Sequence, residues 1–480
     1  MRLAVVHGYF LGDSGSAIYA RELAREFTRQ GHDVTLVCQD RCADRYDFID
    51  SLHEFGPANS GLHTVFERDP LYEGRCRMVR PFIGDRLLTY VAGQFPPFDA
   101  VPFQDATNEM ITAYVEANIR DMTEIFRRWP QDLVQANHAV MQPYLVNKAL
   151  CDETPYVVTI HGSELNFTVR KDQRMVQYMQ EGLGGATAIA ALSETSHDEV
   201  VGLAQRHGID IASRTVILPP GVDTGLFVPL KSREKTLGGI SGTIKPELDD
   251  IAVFAGRLLW TKGLQYMVAA LPLILQERPR IQLVVVGDGP MHETLERLIS
   301  LLESGNLKKA RHLTETETDL KPAPEYGPVV PELDAEEEKI YQVSALGDLS
   351  RRIHFTGHLS HQQLAPLFAA ADVSLVPSVF SEAFGLVSIE ALAAGALPIA
   401  TYQTGLRSPL DVIANGLDDT LFRKLAPGTD LTTGLASALT GILGKYPTRD
   451  PGFREKLHRI ARENFSWRIV AMRYLEWSRS

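Results

Sequence analysis

Two glutamates, Glu382 and Glu390, stand at the ends of EAFGLVSIE, in a segment (residues 381–395) that is otherwise mostly apolar or small. The spacing of the apolar residues predicts a helix that includes Glu390 and begins after Glu382. The two are eight positions apart, and this spacing corresponds to about 12 Å along a helix axis. That is too far for two carboxylates that share a proton or flank one glycosidic bond. It suits two carboxylates that bind hydroxyl groups at opposite ends of one elongated ligand.

Two cations and a helix start add anion-binding chemistry. Arg257 follows the apolar run IAVFAG, and Lys262 stands five positions later, before a predicted helix. Phe384, Gly385 and Leu386 open the helix after LVPSVFSEA. Cations and the free N–H groups of a helix start both bind phosphates, although two surface cations and an ordinary glycine turn are the alternatives. With the two glutamates, these features predict a ligand that has a sugar, a diphosphate and a ribose in a row.

A repeated alternation of strands and helices positions these residues. The first half of the chain predicts a helix from Ser16 to Gln30 and the strands LAVVH, DVTLVC, DLVQA, YVVTI, TAIAAL and TVILP. The second half predicts IAVFAGR, IQLVVVGDGP, RIHFTGH, DVSLVPS and ALPIAT. Apolar strands joined by helices indicate parallel sheets covered on both faces, and such sheets bind ligands beyond the carboxyl ends of their strands. We therefore expect an α/β protein with two doubly wound, Rossmann-like domains that face a central cleft.

Composition narrows the function classes. The chain has 480 residues, a net charge of −12, 44% hydrophobic residues and four cysteines. The negative charge argues against nucleic acid as the main partner. No apolar run approaches the roughly 18 residues of a membrane span, and the start MRLAVVHGYF contains no signal-type segment, so we expect a cytoplasmic protein. The cysteines form neither a disulfide framework nor a common zinc motif, and no metal site is predicted.

Six motifs together resemble the retaining glycosyltransferases of family 4, which have the GT-B fold. They are the glutamate–seven residues–glutamate motif at 382–390, GRLLWTKG at 256–263, VVGDGP at 285–290, FTGHLS at 355–360, PPGVDTGLF at 219–227 and TIHGSE at 159–164. The motifs occur in the order of the family and span most of the chain. In one departure, this chain has Ser14-Gly15 where the family usually has Gly-Gly.

The resemblance implies a role for each residue of the donor site. Arg257 and Lys262 would neutralise the leaving diphosphate, Glu390 would bind the ribose hydroxyls, and Glu382 would face the hydroxyls of the transferred sugar. His161 would bond that sugar near its reacting end, although a structural histidine is the alternative. Further donor contacts are implied at Gly287, Gly357, His358, Ala383, Phe384, Gly385 and Leu386. The family is generally metal-independent, so no cofactor besides the nucleotide-sugar donor is expected.

The second substrate is expected to be a small soluble acceptor such as a sugar, a sugar phosphate or a polyol. Its candidate contacts are Ser14, Gly15, His138, Arg170 and Lys171. Arg170 and Lys171 follow His161 in NFTVRKDQR and would suit a phosphate or carboxylate on the acceptor, but exposed helix cations are the simpler reading. A homodimer is compatible with the sequence.

A Pro/Gly-rich stretch at residues 219–250 predicts a linker between the two domains. We assign residues 1–225 with 465–480 to an N-terminal acceptor-binding domain and 226–464 to a C-terminal nucleotide-sugar-binding domain. The acidic residues at about 303–347 are interpreted as a solvated insertion. In the family the last helix returns to the first domain, which would explain the apolar stripe in FSWRIVAMRYLEW, although a surface helix on the second domain is the alternative.

Other functions remain open at this point. A GT-B phosphorylase, a nucleotide-sugar epimerase and a non-catalytic nucleotide-sugar sensor would each use the same fold and a similar donor site. A Rossmann dehydrogenase is disfavoured, because GDSGSA lacks the Gly-x-Gly-x-x-Gly spacing of dinucleotide-binding loops.

Overall fold

The structure, a computed structural model, describes residues 1–12, 14–57, 60–91, 93–150, 154–230, 233, 236–237, 239–332, 338–339, 341 and 349–477. The chain divides into two compact units, Met1–Gly221 with Trp467–Ser480, and Val222–Ser466. Each unit has its own parallel α/β sheet, so the predicted fold class of two Rossmann-like units is confirmed. The chain passes between the units after Gly221 and after Ser466, where the sequence predicted divisions after 225 and 464. Which unit binds which substrate stays a prediction.

The predicted strands and the predicted first helix are present, and the structure adds five strands, β3 to β7, between residues 51 and 102. The strands are β1 Arg2–Val6, β2 Asp33–Val37, β3 Ser51–Phe55, β4 Leu62–Glu67, β5 Arg75–Arg80, β6 Arg86–Thr89, β7 Asp99–Pro102, β8 Leu133–Asn137, β9 Tyr156–Ile160, β10 Ala188–Ala191, β11 Thr215–Ile217, β12 Asp250–Ala255, β13 Ile281–Val286, β14 Ile353–Gly357, β15 Val373–Val376 and β16 Leu397–Ala400. The α-helices are α1 Gly15–Arg29, α2 Asn108–Arg128, α3 Gln142–Ala149, α4 Met175–Gly184, α5 Glu194–Arg206, α6 Leu264–Glu277, α7 His292–Glu303, α8 Leu307–Thr316, α9 His361–Ala370, α10 Leu386–Ala393, α11 Arg407–Leu417, α12 Leu431–Lys445, α13 Pro451–Phe465 and α14 Trp467–Trp477. No helix among the described residues has both the length and the apolar character needed to cross a membrane.

The first unit is built on a nine-stranded sheet with the order β11-β10-β9-β8-β1-β2-β5-β3-β4. All neighbours in it are parallel except β3 and β4. The chain runs outward from β1 on one side and later returns to β8 on the other, so the connections diverge between β1 and β8. Ligands of doubly wound sheets bind at such a divergence, beyond the carboxyl ends of the strands. His7, His138 and His161 follow β1, β8 and β9 at this edge.

The last described helix, α14, packs on the first unit, as its apolar stripe predicts. Trp467, Val470 and Tyr474 are buried, and the hydroxyl of Tyr474 lies 2.9 Å from that of Tyr19 on α1. Met472, which the sequence placed in the stripe, is instead exposed. The packing excludes the alternative of a surface helix on the second unit.

The second unit contains a five-stranded, fully parallel sheet with the order β14-β13-β12-β15-β16. Its connections diverge between the neighbouring strands β12 and β15. The loop 256–263 after β12 and the loop 377–385 after β15 therefore meet at one edge of the sheet. These loops carry the predicted donor-site residues.

The predicted solvated insertion at about 303–347 is wrong for the part that the structure describes. Residues 307–316 form α8, whose buried side chains recur at helical spacing. Tyr326 is 1% exposed, and Tyr341 donates a hydrogen bond of 2.7 Å to the carbonyl of Ala269 on α6. The segment is acidic overall, but it contains apolar residues that are buried against the second unit, and the overall composition did not predict this burial. Residues 333–337, 340 and 342–348 lie outside the described residues.

The predicted linker at 219–250 is also largely part of the second unit. Phe227, Leu237 and Ile244 are buried, and Arg233 forms an ion pair of 2.8 Å with Asp372. A stretch rich in Pro and Gly predicts irregular backbone, but it does not show whether that backbone is covered. Here the irregular backbone is anchored by a few large side chains.

Two buried arginines donate hydrogen bonds to the carbonyl groups at the carboxyl end of α9. The Arg233 guanidinium donates to the carbonyl of Ala370, and the Arg454 guanidinium donates to the carbonyls of Ala369 and Ala371. The last carbonyls of a helix have no partner within the helix, and cations stabilise them. Asp372, which is fully buried just after α9, balances this positive charge.

Candidate functional site

In the second unit, the loops after β12 and β15 approach each other closely at Gly263. This residue has a φ of 73°, and a Cβ there would lie 1.8 Å from the carbonyl oxygen of Pro377. Only glycine combines this left-handed backbone with so close an approach. Gly263 directly follows the 3₁₀ turn Trp260–Lys262, so the contact holds the Lys262 backbone beside the loop that carries Glu382.

Lys262 and Glu382 form the centre of this group. Lys262 Nζ lies 2.5 Å from Glu382 Oε1, and the same oxygen accepts a hydrogen bond of 2.6 Å from Ser378 Oγ. The backbone of Glu382 is fixed as well, because its N–H donates to Thr404 Oγ1 at 3.1 Å and its carbonyl accepts from Gly405 at 2.9 Å. Both side chains are partly exposed, at 34% and 21%. A cation and a carboxylate thus stand side by side and remain open to a ligand.

Arg257 is not part of that pair. Its side chain is exposed and makes no hydrogen bond or ion pair with any residue in the described part of the chain. The structure places Arg257 in the loop after β12, as the sequence predicts, and its contact with a diphosphate stays a prediction.

The predicted helix start at residues 384–386 is confirmed. Gly385 is the N-cap of α10, with a φ of 88° and only 2.3 Å between an added Cβ and the side chain of Leu406. Leu386 is the first helical residue, and Phe384 is buried against the ring of Phe465. The first N–H groups of α10 have no partner within the helix and carry its positive dipole end.

Glu390 lies on α10 and is nearly buried, at 6% exposure. Its Oε1 is 3.2 Å from Nε2 of His361, the first residue of α9, and the His361 ring contacts Phe227. His361 is not among the residues predicted from the sequence. It stands 29 positions before Glu390 on another helix, and no local spacing connects them.

Among the remaining donor-site residues, Gly287 and His358 follow β13 and β14, Gly357 ends β14, and Ala383 lies in the loop after β15. The N–H of Gly287 donates to the carbonyl of Gly357 at 2.9 Å, and the N–H of His358 donates to Asp288 Oδ2 at 2.9 Å. Ala383 lies beside Gly405, where a Cβ on the glycine would be 2.2 Å from the Ala383 carbonyl oxygen. These contacts show how the loops are held together, and the proposed contacts with a donor stay predictions.

In the first unit, Glu164 joins the loops after β8 and β9. Its carboxylate accepts from the N–H of His161 at 3.0 Å and of Ala139 at 3.2 Å, and it lies 3.2 Å from His138 Nδ1. The rings of His138 and His161 are 4.8 Å apart. The structure therefore brings these two predicted residues together. It also adds Glu164, which lies in the motif TIHGSE but was not predicted to have a role.

The protonation states of Glu164 and His161 follow from their burial and from their neighbours. Burial would raise the pKa of the Glu164 carboxyl, but the hydrogen bond with His138 and the electrostatic interactions with the His138 and His161 rings outweigh it and lower this pKa to about 2. Burial lowers the pKa of His161 to about 3, with a smaller contribution from the nearby His138. At neutral pH, Glu164 is thus a carboxylate and His161 is an uncharged imidazole.

The other acceptor candidates make only local contacts. Ser14 caps α1 by accepting from the N–H of Ala17 at 3.3 Å, and Gly15 begins that helix. Arg170 bonds the side chain of Asn166, and Lys171 lies over the ring of Phe167 at 5.3 Å. Over the described residues of the first unit, no hydrogen bond or ion pair connects these four candidates to His138 or His161. Their assignment to an acceptor stays a prediction.

Three family models match the chain. One described as "Glycosyl transferase 4-like domain" matches residues 14–221, and models described as "Glycosyl transferases group 1" match residues 242–314 and 329–445. The matches cover most of both units and include all the predicted donor-site and acceptor-site residues. The chain is a glycosyltransferase with the GT-B fold.

This glycosyltransferase is similar in sequence to curated proteins and in fold to solved structures. Glycogen synthase of Mycobacterium tuberculosis is 26% identical over 72% of this chain and 68% of its own length. D-inositol 3-phosphate glycosyltransferase of Pseudarthrobacter chlorophenolicus is 32% identical over 45% of this chain and 40% of its own. The crystal structure of Anabaena HepE in complex with UDP-glucose superimposes with a TM-score of 0.57 at 14% identity, covering 99% of this chain and 98% of that one.

Proposed function

We propose that this glycosyltransferase moves a hexose, with retention of configuration, from a nucleotide-sugar of the UDP-glucose or GDP-mannose type to a hydroxyl of a small soluble acceptor. The acceptor would be a sugar, a sugar phosphate or a polyol. The contact between Lys262 and Glu382 is the observation that carries the proposal.

That contact matches the chemistry of a nucleotide-sugar. The sugar and the diphosphate of such a donor are joined through a single oxygen atom. A site for this junction needs a cation for the phosphate and a hydrogen-bond acceptor for the neighbouring sugar hydroxyls, within a few ångströms of each other. Lys262 and Glu382, 2.5 Å apart and both partly open to solvent, provide this combination.

The rest of the donor extends along α10. The free N–H groups at the start of this helix suit the diphosphate. Glu390 is four residues beyond Leu386, which corresponds to about 6 Å along the helix axis. A carboxylate at this depth suits the ribose hydroxyls, and His361 holds it in place. This order of sugar, diphosphate and ribose supports the proposed donor class.

In the proposed reaction the acceptor hydroxyl attacks on the face from which the diphosphate leaves. Lys262, Arg257 and the α10 terminus stabilise the negative charge that develops on the departing phosphate, which is the main contribution expected of such groups. The departing phosphate oxygen takes the proton of the acceptor hydroxyl, so no separate general base is required. Glu382 binds sugar hydroxyls, and His161 binds the sugar as a neutral ring.

The acceptor class is supported by the relatives and by local charge. One relative is named for D-inositol 3-phosphate, a phosphorylated polyol, and another for glycogen synthesis. Arg170 and Lys171 are exposed cations in the segment after His161 and would suit a phosphate on the acceptor.

A donor panel tests the proposal. UDP-, GDP- and ADP-sugars are each incubated with the full chain, and thermal shift and nucleoside diphosphate release are measured with and without sugar, sugar phosphate and polyol acceptors. The proposal is supported if nucleoside diphosphate is released only when an acceptor is present and the transferred sugar keeps its anomeric configuration in the product. Epimerised donor without a transfer product indicates the epimerase, and binding without turnover indicates the sensor. Cleavage of a glucan in a parallel incubation with inorganic phosphate and no nucleotide-sugar indicates the phosphorylase.

The two glutamates should affect binding differently. Glu390→Gln should lower the affinities for the donor and for the free nucleoside diphosphate by a similar factor of about five to ten, because both ligands carry the ribose. Glu382→Gln should lower the affinity for the donor but leave the affinity for the nucleoside diphosphate within about twofold of the wild type, because only the donor carries the sugar. Titration calorimetry with the two ligands measures this. Equal losses of diphosphate affinity in both variants would contradict the assignment.

A further inference from the structure

A chain of buried hydrogen bonds connects His161 to the interior of the first unit. His161 Nε2 lies 2.8 Å from Asn137 Oδ1, and Asn137 Nδ2 donates to Gln135 Oε1 at 3.0 Å. Gln135 Nε2 donates to Thr159 Oγ1 at 2.7 Å, and this hydroxyl lies 2.5 Å from that of Tyr474 on α14. The four residues behind His161 are each at most 1% exposed. Their hydrogen bonds therefore have no competition from bulk water.

The main-chain carbonyl of Val6 sets the direction of this chain of bonds. Asn137 Nδ2 donates to Val6 O at 3.0 Å as well as to Gln135. A carbonyl oxygen only accepts hydrogen bonds, so the Asn137 amide must turn its nitrogen toward Val6 and its oxygen toward His161. The reverse orientation would place two buried acceptors against each other, which is unfavourable.

The position of the His161 proton follows from this orientation. A neutral imidazole has one donor nitrogen and one acceptor nitrogen. Because Asn137 Oδ1 requires a donor, the proton is on Nε2 and the lone pair is on Nδ1. Nδ1 makes no hydrogen bond with any residue that the structure describes, and Glu164 fixes the backbone that carries the ring. Nδ1 is thus available to a ligand as an acceptor only.

We propose that Asn137 is a positioning residue that fixes His161 as a hydrogen-bond acceptor, so that the ligand atom facing His161 Nδ1 is a hydroxyl and not a phosphate or carboxylate oxygen. A neutral nitrogen lone pair would repel an anionic oxygen but accept a hydroxyl proton. The inference rests on the proposed function only for the source of this hydroxyl, which is the transferred sugar.

Nuclear magnetic resonance of the ring nitrogens tests the tautomer. The full chain is labelled with ¹⁵N-histidine, and the His161 signals, among fourteen histidines, are assigned by their loss in His161→Gln. At pH 7 we expect a protonated Nε2 and an unprotonated Nδ1. In Asn137→Ala both nitrogens should move toward intermediate shifts, and kcat/KM with the active donor should fall about tenfold. A proton on Nδ1 in the wild type, or unchanged shifts and unchanged kcat/KM in Asn137→Ala, overturns the inference.

Two further variants separate positioning from general packing. Gln131→Ala removes another buried amide of the first unit, and Tyr474→Phe removes the distal hydroxyl of the chain. Both should leave the His161 shifts unchanged, because neither touches the bonds of Asn137 to Val6 and His161. If the ¹⁵N shifts of His161 change in Tyr474→Phe, this would overturn the claim that the Val6 carbonyl fixes the orientation of the Asn137 amide. The wild-type spectrum decides the tautomer even if Asn137→Ala does not fold. Failure of the proposed function is distinguishable, because it appears as absent transfer with every donor while the tautomer is as expected.

Discussion

Replacing Lys262 with alanine should lower kcat/KM for sugar transfer at least tenfold while the protein stays folded. A charge-assisted hydrogen bond contributes about 1.5–3 kcal/mol, which corresponds to roughly 10- to 150-fold in rate. The variant loses the cation proposed for the leaving diphosphate, and it also leaves the Glu382 carboxylate without its cationic partner, so that only Ser378, among the described residues, donates to its side chain. Initial rates at varied donor concentration, with circular dichroism to confirm folding, measure the effect. We expect the loss in both kcat and donor affinity, because the diphosphate is present in the ground state and gains charge as it leaves.

Lys148→Ala is the matched control. Lys148 also forms an ion pair with a glutamate, Glu181, at 2.6 Å, and both side chains are exposed. Exposed pairs contribute about 0–1 kcal/mol to stability, and neither residue of this pair is among the proposed donor or acceptor residues. Its kinetics should match the wild type. Wild-type kinetics in Lys262→Ala as well would show that the diphosphate is not held there.

Asp372→Ala should destabilise the second unit by about 3–5 kcal/mol, the usual cost of removing one partner from a buried ion pair. Asp372 is fully buried and bonds Arg233, Thr448 and the N–H of Ile251 at 2.8–2.9 Å. Without it, the buried positive charge of Arg233 at the end of α9 is no longer balanced. Urea unfolding at pH 7, followed by tryptophan fluorescence and circular dichroism, measures the change.

The effect of pH on this variant has a definite sign. Burial raises the pKa of Asp372, but Arg233 and Arg449 outweigh it, so the pKa in the folded protein is below its ordinary value. The stabilising contribution is therefore complete above the unfolded pKa of about 3.9 and is lost as the pH falls through the folded value. The stability difference between wild type and variant should shrink below about pH 4. Asp411→Asn, which removes a partly exposed partner of Arg423, should change stability by about 1 kcal/mol or less at any pH. A comparable loss in both variants would contradict the role of the buried pair.

Most of the fold was predictable because the central strands are short apolar runs bounded by turn residues. The strands from Ser51 to Arg80 were missed because they form one margin of the first sheet and alternate charged with apolar residues, as in RCRMVR. The acidic stretch around α8 was wrongly predicted to be a solvated insertion. Its charges dominate the composition, while a few apolar residues at helical spacing determine its packing.

The candidate site was predictable where chemistry and local spacing coincide. Lys262 was identified from its place after a strand and Glu382 from its spacing to Glu390, and the structure brings them together. Asn137, Glu164 and His361 were not given roles, because each acts on a partner from another element. Parallel strands place residues 24 positions apart in contact, as for Asn137 and His161, and a single sequence carries no signal of such a pair. The pairing of strands β8 and β9 had to be known first.

The return of α14 to the first unit has a consequence for the order of synthesis. Residues 467–477 leave the ribosome only after the whole of residues 222–466, which form a contiguous unit able to complete its own sheet. During translation, Tyr19 and Thr159 lack the hydroxyl of Tyr474, and α1 lacks the helix that covers it. Domains tend to fold as units while the chain is made. The unit whose synthesis begins first is thus the last to complete its hydrogen bonds.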